Sequence, residues 1–443
     1  MARLTIDLGS SPGIMPLSYV GLSYEAAQLA NPQFFSASNK ELIKLVHELG
    51  TQGVLRIGGG TSELTKYSAQ KAAGTPPFET FGPDTSKTVK QGTVTTAFAI
   101  ENLRSFLDVT GWTCLYGLNL GQGTKENAVA EAEAAQRILG PRLWALQIGN
   151  EPDSFRNRYR PASYGPQDYI HEWLEFHDAI VQRVPTAKFA GPDISNKLSF
   201  LTAFAEEARY HPDVILLTGH YYAMGPAGRP DATMENLLSA NPTSATMKWS
   251  AIPMVKEAMR TAALPFRVSE ANSCWNGGQP GVSDVFGSAL WCADTMLRFA
   301  SLGFCGMNVH GGGNGVYSSI VGSETTGFTR RPEFFGMQFA SRFAGATMEK
   351  TTITCESDRV TGYAAGMGNR VDRIAIINKT VNPITVTMPD TLRERRQWSV
   401  LRLTAPSVES TTDVRLAEDD VVPGTQKELN AEPYNAVLLS SVQ

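Results

Sequence analysis

The chain has few of the residues on which small secreted scaffolds and metal enzymes depend. Its five cysteines, Cys114, Cys274, Cys292, Cys305 and Cys355, are scattered, odd in number and never in Cys-x-x-Cys spacing. That pattern excludes a disulfide framework and a zinc site. Cys114 and Cys305 fall in apolar strand-like runs, where a cysteine reads as plain core packing. The six histidines form no His-Glu-x-x-His pair, so metal hydrolysis is disfavoured, and neither a metal nor an organic cofactor is expected. No apolar stretch reaches the roughly 18 to 20 residues needed to cross a bilayer, so no membrane span is expected. The net charge is only −4, with no lysine/arginine block and no aromatic-basic repeat, which argues against nucleic acid as a partner. No secretion signal precedes the strand-like Arg3 to Leu8, although a secreted or periplasmic chain carrying an added methionine in place of its leader would read the same. Compartment and oligomeric state therefore stay open. No short-period repeat and no low-complexity segment is present.

What is present is a pattern of alternation. At 443 residues the chain suits a barrel of roughly 250 residues or more with an accessory domain. Eight short apolar runs recur: Tyr19 to Leu22, Val54 to Ile57, Thr113 to Leu120, Leu143 to Ile148, Lys188 to Gly191, Val214 to Thr218, Phe266 to Val268 and Gly306 to Val309. Helical patterns separate them: Asn39 to Leu49, Thr96 to Val109, Lys125 to Leu139, Tyr169 to Val184, Phe200 to Tyr210, Ser250 to Ala262 and Val285 to Ala300. Eight strands alternating with helices predict an α/β fold, a closed (β/α)8 TIM barrel. The stretch Lys71 to Gln91, rich in Gly, Pro, Thr and Lys, reads as a long loop on the active-site face. After the helix-like Pro332 to Phe343 the period changes to two, in Thr351 to Thr354, Arg373 to Ile377, Ile384 to Thr387, Trp398 to Leu403 and Ala436 to Leu439. These predict a C-terminal β-sandwich that also takes in the N-terminal strand. The expected division is residues 1–12 as that strand, 13–345 as the catalytic barrel and 346–443 as the sandwich.

Two of the barrel strands end on glutamates. Asn150-Glu151-Pro152-Asp153 follows the run Leu143 to Gly149, where Pro152 has no N–H to continue a ladder and Gly149 permits a sharp change of direction. The seventh run delivers Glu270 in Phe266-Arg267-Val268-Ser269-Glu270-Ala271-Asn272-Ser273. Barrel enzymes carry their chemistry at such strand ends, and a pair of carboxylates there points to glycoside hydrolysis. A retaining enzyme needs one carboxyl kept protonated and one ionised. Glu151 suits the acid/base role, since Asn150 beside it can bond a sugar hydroxyl. Glu270 suits the nucleophile, with Asn272 and Ser273 as donors and tyrosines to hold its charge.

The stretches Gly21-Leu22-Ser23-Tyr24-Glu25, Arg56-Ile57-Gly58-Gly59-Gly60-Thr61-Ser62, Gly149 to Asp153, His220-Tyr221-Tyr222, Ser269 to Asp284 and His310-Gly311-Gly312 resemble glycoside hydrolase family 79. That family holds heparanases and β-glucuronidases, on a clan A barrel with a β-sandwich. The resemblance covers nearly the whole chain and implies Glu151 as acid/base and Glu270 as nucleophile. It also implies that Glu25, at the end of strand one, and Asp84, in the long loop, bind hydroxyls of the terminal sugar. In the run after strand six, alternation sends His220 and Tyr222 one way and Tyr221 the other. One of the two tyrosines bonds Glu270 and the other packs in the core, and the sequence does not choose between them. His310 either orients a loop hydrogen bond or is structural.

The chain departs from the family around the sugar carboxylate. Trp275-Asn276 stands where the family has a tyrosine followed by a glycine, and Gly60 where it often has an asparagine. Trp275, Asn276 and Gly277 are expected to face the C5 substituent, with Tyr317 approaching from the strand-eight loop and supplying a neutral donor. The reading is a retaining exo-β-glycosidase, a β-glucuronidase acting on terminal β-linked glucuronic acid. Its rivals are an exo-hydrolase of a neutral sugar such as a β-glucosidase, a heparanase-type endo-β-glucuronidase, and a non-catalytic carbohydrate-binding protein.

Overall fold

The computed structural model describes residues 2–8, 10–69, 92–312, 315–367, 370–389 and 397–442. Asp84 and the expected loop Lys71 to Gln91 lie outside the described residues.

Eight parallel strands close into a barrel in strict sequence order: β1 (Val20–Glu25), β2 (Val54–Gly58), β3 (Thr113–Leu118), β4 (Leu143–Ile148), β5 (Phe189–Ile194), β6 (Val214–Met224), β7 (Phe266–Cys274) and β8 (Met307–Gly311). Closure comes from β8, whose Met307 to Gly311 pair with Val20 to Tyr24 of β1. The eight runs read from the sequence are these eight strands, but β6 and β7 extend well past the apolar segment that marked them. His220-Tyr221-Tyr222 and Glu270 therefore lie within strands rather than beyond their ends, because the two strands stay paired from Leu217↔Phe266 as far as Met224↔Cys274.

The helices start where short polar side chains satisfy the first free N–H groups. Asn39, Thr96 and Thr124 accept from the backbone N–H of Leu42, Ala99 and Asn127, capping helices Lys40–Leu49, Ala97–Thr110 and Lys125–Leu139. Each such cap is worth about 1 kcal/mol. Within the barrel, Val54, Leu115, Ala145, Ala190 and Leu216, one from each of β2 to β6, form a closed apolar cluster. The interior also buries Ser23, Arg56, Gln147, Asp193, Thr218 and Ser269. Buried polar side chains must find partners, so this set prepares a site.

Beyond helix Pro332–Ser341 the chain enters a second sheet system: β9 (Thr347–Thr354), β10 (Val360–Met367), β11 (Arg370–Asn378), β12 (Ile384–Thr387), β13 (Gln397–Thr404), β14 (Arg415–Pro423), β15 (Glu428–Ala431) and β16 (Asn435–Val442). β9 belongs to both layers. Its Thr347 to Glu349 pair with β10, and its Lys350 to Thr354 pair with the N-terminal strand Ala2–Asp7. Period-two alternation then divides the side chains between two cores. Ile374 and Ile376 of β11 pack between the layers with Leu4, Trp398 and Leu429, whereas Ala375 and Ile377 join the barrel's core. Strands β10, β14 and β15 escaped the sequence pattern. β10 is diluted by Gly362, Ala364, Ala365 and Gly366, and β14 carries charges because it forms the sheet edge.

Candidate active site

The Glu151 loop is held from three sides. Gly149 and Glu151 both adopt left-handed backbone conformations, φ 88° and 51°, which only surrounding contacts make tolerable for the glutamate. The Glu151 N–H donates to Asp193 O at 2.9 Å, and buried Glu63 accepts the backbone N–H groups of Asn150 and Gly121 on its two carboxylate oxygens. Asp153 in turn accepts the N–H groups of Ser195, Asn196 and Lys197 at 2.9 to 3.0 Å. The acid-bearing loop is thus clamped to the loop after β5.

Glu270 comes from β7. The register shifts between Gly219 and His220, a bulge after which His220 pairs with Glu270. One oxygen of Glu151, one of Glu270 and a ring nitrogen of His220 all lie within 4.8 Å of one another.

Arg56 of β2 is the hub beneath this group, and sequence reading did not single it out as a site residue. It is 1% exposed. Nη1 donates to Glu270 Oε2 at 2.6 Å and Ser23 Oγ at 3.0 Å, Nη2 to Asp193 Oδ2 at 2.5 Å and Asn150 Oδ1 at 2.7 Å, and Nε to Gln147 Oε1 at 3.1 Å. Every nitrogen of the fork is used, as a buried guanidinium requires. Asp193 also accepts from Gln147 Nε2 and Ser269 Oγ and lies 3.3 Å from His220 Nε2. His220 Nδ1 is 2.9 Å from Glu151 Oε1, so the imidazole bridges Asp193 and Glu151.

These contacts separate the two glutamates electrically. Burial pushes Glu151 up, and the neighbouring Glu270 charge adds to that against the opposing pull of His220. Burial would raise Glu270 too, but His310, His220 and Arg56, together with the Tyr222 hydroxyl, overcome it and hold Glu270 down at about 2. His220 is desolvated, yet Asp193, Glu270 and Glu151 lift it to about 10. Burial thus raises one carboxyl, while the surrounding cations lower its neighbour. One carboxyl kept acidic beside one kept ionised is the arrangement general acid and nucleophile require.

The remaining residues singled out in the sequence distribute as follows. Tyr222 donates to Glu270 Oε1 at 2.7 Å, and Tyr221 packs among Trp249, Trp291 and Phe299, which settles the open choice between the tyrosines. Asn272 and Ser273 do not serve Glu270. Asn272 Nδ2 donates to His310 O, Tyr317 O and Glu333 and so fastens β7 to β8 and the loop after it, whereas Ser273 Oγ bonds Asn272 and Ser283 within the β7 strand and its own loop. Asn150 spends its carbonyl oxygen on Arg56 rather than on an open cleft. Glu25 accepts the backbone N–H and hydroxyl of Thr61 at 2.7 and 2.5 Å, with His310 Nε2 at 3.8 Å. Burial opposes its ionisation, but His310 and Thr61 hold it below the usual carboxylate range. His310 Nδ1 is 3.0 Å from Ser23 Oγ and 3.6 Å from Glu270 Oε2. Asn276, Gly277 and Gly278 are three successive left-handed residues, and Tyr317 N–H donates to Gly277 O at 3.1 Å. At Gly278 a side chain would strike the Tyr317 backbone, its Cβ 2.8 Å from Tyr317 N. Trp275 is half-exposed, and its indole nitrogen faces Gly225 on the β6 loop.

Among the described residues, two groups bring three potential ligand atoms together: Glu151, His220 and Glu270, and His177, His211 and Asp213. In the first, His220 already directs Nδ1 to Glu151 at 2.9 Å and Nε2 toward Asp193 at 3.3 Å. In the second, His177 already spends its nitrogens on Asp178 and Asp213 at 2.9 and 3.0 Å.

No protein-family model matches the chain. Among characterised relatives, a β-glucuronidase of Aspergillus niger is 26% identical over 390 residues, covering 80% of this chain and 68% of that one. A β-glucuronidase of Neurospora crassa is 26% identical over 372 residues, covering 74% and 65%. The chain thus spans about two thirds of the length of these relatives. A solved 4-O-α-L-rhamnosyl-β-D-glucuronidase of Fusarium oxysporum 12S superposes over 98% of this chain and 99% of that one, with a TM-score of 0.74 at 19% identity. The chain is a glycoside hydrolase. Glu151, just past the end of β4, and Glu270, on β7, lie toward the C-terminal ends of the barrel strands.

Proposed function

We propose that this glycoside hydrolase is a retaining exo-β-glucuronidase, with Glu151 as acid/base and Glu270 as nucleophile. The observation that carries the reading is the close approach of the two carboxyls, with oxygens within 4.8 Å, while their environments drive one toward the acid and the other toward the anion. That spacing supports a double displacement, since an inverting pair needs about 6.5 to 9.5 Å to admit a water.

In the first step Glu270 forms a bond to the anomeric carbon as the glycosidic C–O bond breaks, and the Glu151 proton passes to the departing oxygen. In the second, Glu151 takes a proton from water, whose oxygen replaces Glu270 on the anomeric carbon and restores the β configuration. Arg56 and Tyr222 hold Glu270 so that one face of its carboxylate points at the sugar. His220 steadies Glu151 through Nδ1.

The glucuronide assignment is supported by the β-glucuronidases the chain resembles and by donors beside the ring site. A uronate carboxylate loses water on binding and needs several replacements. The N–H groups of the left-handed run Asn276, Gly277 and Gly278 and the hydroxyl of neighbouring Tyr317 are the donors expected to serve it. Glu25 accepts sugar hydroxyls on the β1 side. Rates on p-nitrophenyl β-glucuronide, β-glucoside, β-galactoside and β-xyloside test the assignment. The glucuronide is expected to be preferred, and a preference for the glucoside would replace this reading with a neutral-sugar hydrolase.

A further inference from the structure

A cavity of about 530 Å³ opens between the loops after β5, β6 and β7. Three contacts tie it to the leaving-group side of the reacting carboxylates. Asn196 lines it from the loop after β5, and the Asn196 N–H is one of the groups gripping Asp153, two residues beyond Glu151. Thr246 lines it from the β6 loop and is bonded both ways to Tyr222, the residue whose hydroxyl holds Glu270. Trp275 lines it from just past the end of β7, five residues beyond Glu270 in the chain. Glu25 and Tyr317, expected to hold the terminal sugar, come instead from β1 and the loop after β8, on the other side of Glu270 in the barrel order.

The chemistry of the lining is one-sided. Among the described residues it contains two cations, Arg229 and Lys248, and no carboxylate, on a chain whose net charge is −4. Arg229 shares its charge with Asp231 at 3.1 Å, and Lys248 is exposed with no acidic partner among the described residues. Trp275 is 39% exposed, an indole face of the kind on which rings stack. Gly225 keeps the floor flat. A Cβ there would lie 2.7 Å from Arg229 Cδ, so the glycine lets the arginine stem lie across the cavity toward Trp275.

We propose that this cavity is the leaving-group subsite, and that Trp275, Lys248 and Arg229 make it select a ring carrying a carboxylate or sulfate. Two cations beside one indole match a single charged ring and do not form a track for a polyanion. The proposal rests on the glycosidase reading above, and it revises the expectation that Trp275 faces the C5 substituent.

The test uses pairs of aryl β-glucuronides whose phenols have matched acidity, one neutral and one bearing a carboxylate, with a second pair bearing a sulfonate. Matched acidity removes the leaving-group effect on the chemical step. The wild type is expected to show a higher kcat/KM for the charged member, a preference that fades as salt is raised. Lys248→Ala and Arg229→Ala should each lower kcat/KM for the charged member about two- to fivefold, the size of an exposed charge pair, and leave the neutral member within about twofold. Trp275→Ala should raise KM for both members. If the wild type treats the members alike, or if the cation variants lose equally on both, the proposal is overturned and the glycosidase reading stands. Absence of turnover on every pair overturns both together. The carboxylate and sulfonate pairs distinguish which anion fits better.

Discussion

Arg56 and Glu270 form a 2.6 Å ion pair with both side chains buried, and the same guanidinium holds Asp193 at 2.5 Å. A buried cation serving two carboxylates is costly to remove, because each anion is left without compensation. Arg56→Ala is expected to destabilise the fold by about 3 to 5 kcal/mol, and Arg56→Lys to abolish most activity by replacing a five-donor fork with a point charge. Urea denaturation with activity assays on both variants checks this. A near-neutral Arg56→Ala would show that the network does not carry the site.

Glu151→Ala should spare substrates whose leaving groups need little protonation. We expect kcat/KM on alkyl or sugar aglycones to fall roughly 100- to 10,000-fold, the range of general acid catalysis, and dinitrophenyl glycosides to be affected far less in the first step. Azide should restore turnover and yield a β-glycosyl azide. Equal losses on both substrate types would remove Glu151 from the acid role.

Tyr222→Phe removes a hydrogen bond to the ionised form of Glu270. Losing such a bond costs about 1.5 to 3 kcal/mol, so kcat/KM should drop roughly ten- to hundredfold. The pH profile gives a sharper reading. Glu270 is held at about 2, so the acidic limb of wild-type kcat/KM lies low, and it should move upward in the variant. The same depression means that Glu270 contributes stability present above its unfolded value of about 4.3 and lost as pH falls toward about 2. Tyr221→Phe should change neither limb, since Tyr221 packs away from the carboxylates.

His220 tests the electrostatics in the opposite direction. Its folded value is raised to about 10, so its contribution to stability is complete below its unfolded value of about 6.5 and is lost as pH rises through about 10. Unfolding free energy should decline across that interval in the wild type and stay flatter in His220→Gln. A flat wild-type curve from pH 6.5 to 10 would mean that Asp193 and Glu270 do not hold the imidazole charged.

The barrel was legible in the sequence because parallel strands buried on both faces are continuous apolar runs, and the helices between them carry Asn39, Thr96 and Thr124 at their starts. Glu151 and Glu270 were legible because glutamate is out of place at the end of such a run. Arg56, Asp193, Gln147 and Ser269 were not. They lie inside strands, where alternation says only that a residue points inward and cannot say that four inward polar groups from different strands meet. The extension of β6 and β7 past their apolar segments was hidden for the same reason. Tyr222 and Glu270 break the hydrophobic pattern because they meet in the site, and Asn272 because it ties β7 to His310 and Tyr317. Asn272 was misassigned as a donor to Glu270, because its distance in sequence says nothing of the pull exerted by the carbonyls of His310 and Tyr317.

The most direct test of the account is to trap the covalent step. Incubation with a 2-deoxy-2-fluoro-β-glucuronosyl fluoride should slow release of the sugar and leave one glycosyl group on the protein, read as a single added mass on the intact chain. Digestion and fragmentation should place that mass on Glu270, and Glu270→Gln should carry none. A stable adduct on another carboxylate, or rapid turnover with inverted product and no adduct, would contradict it.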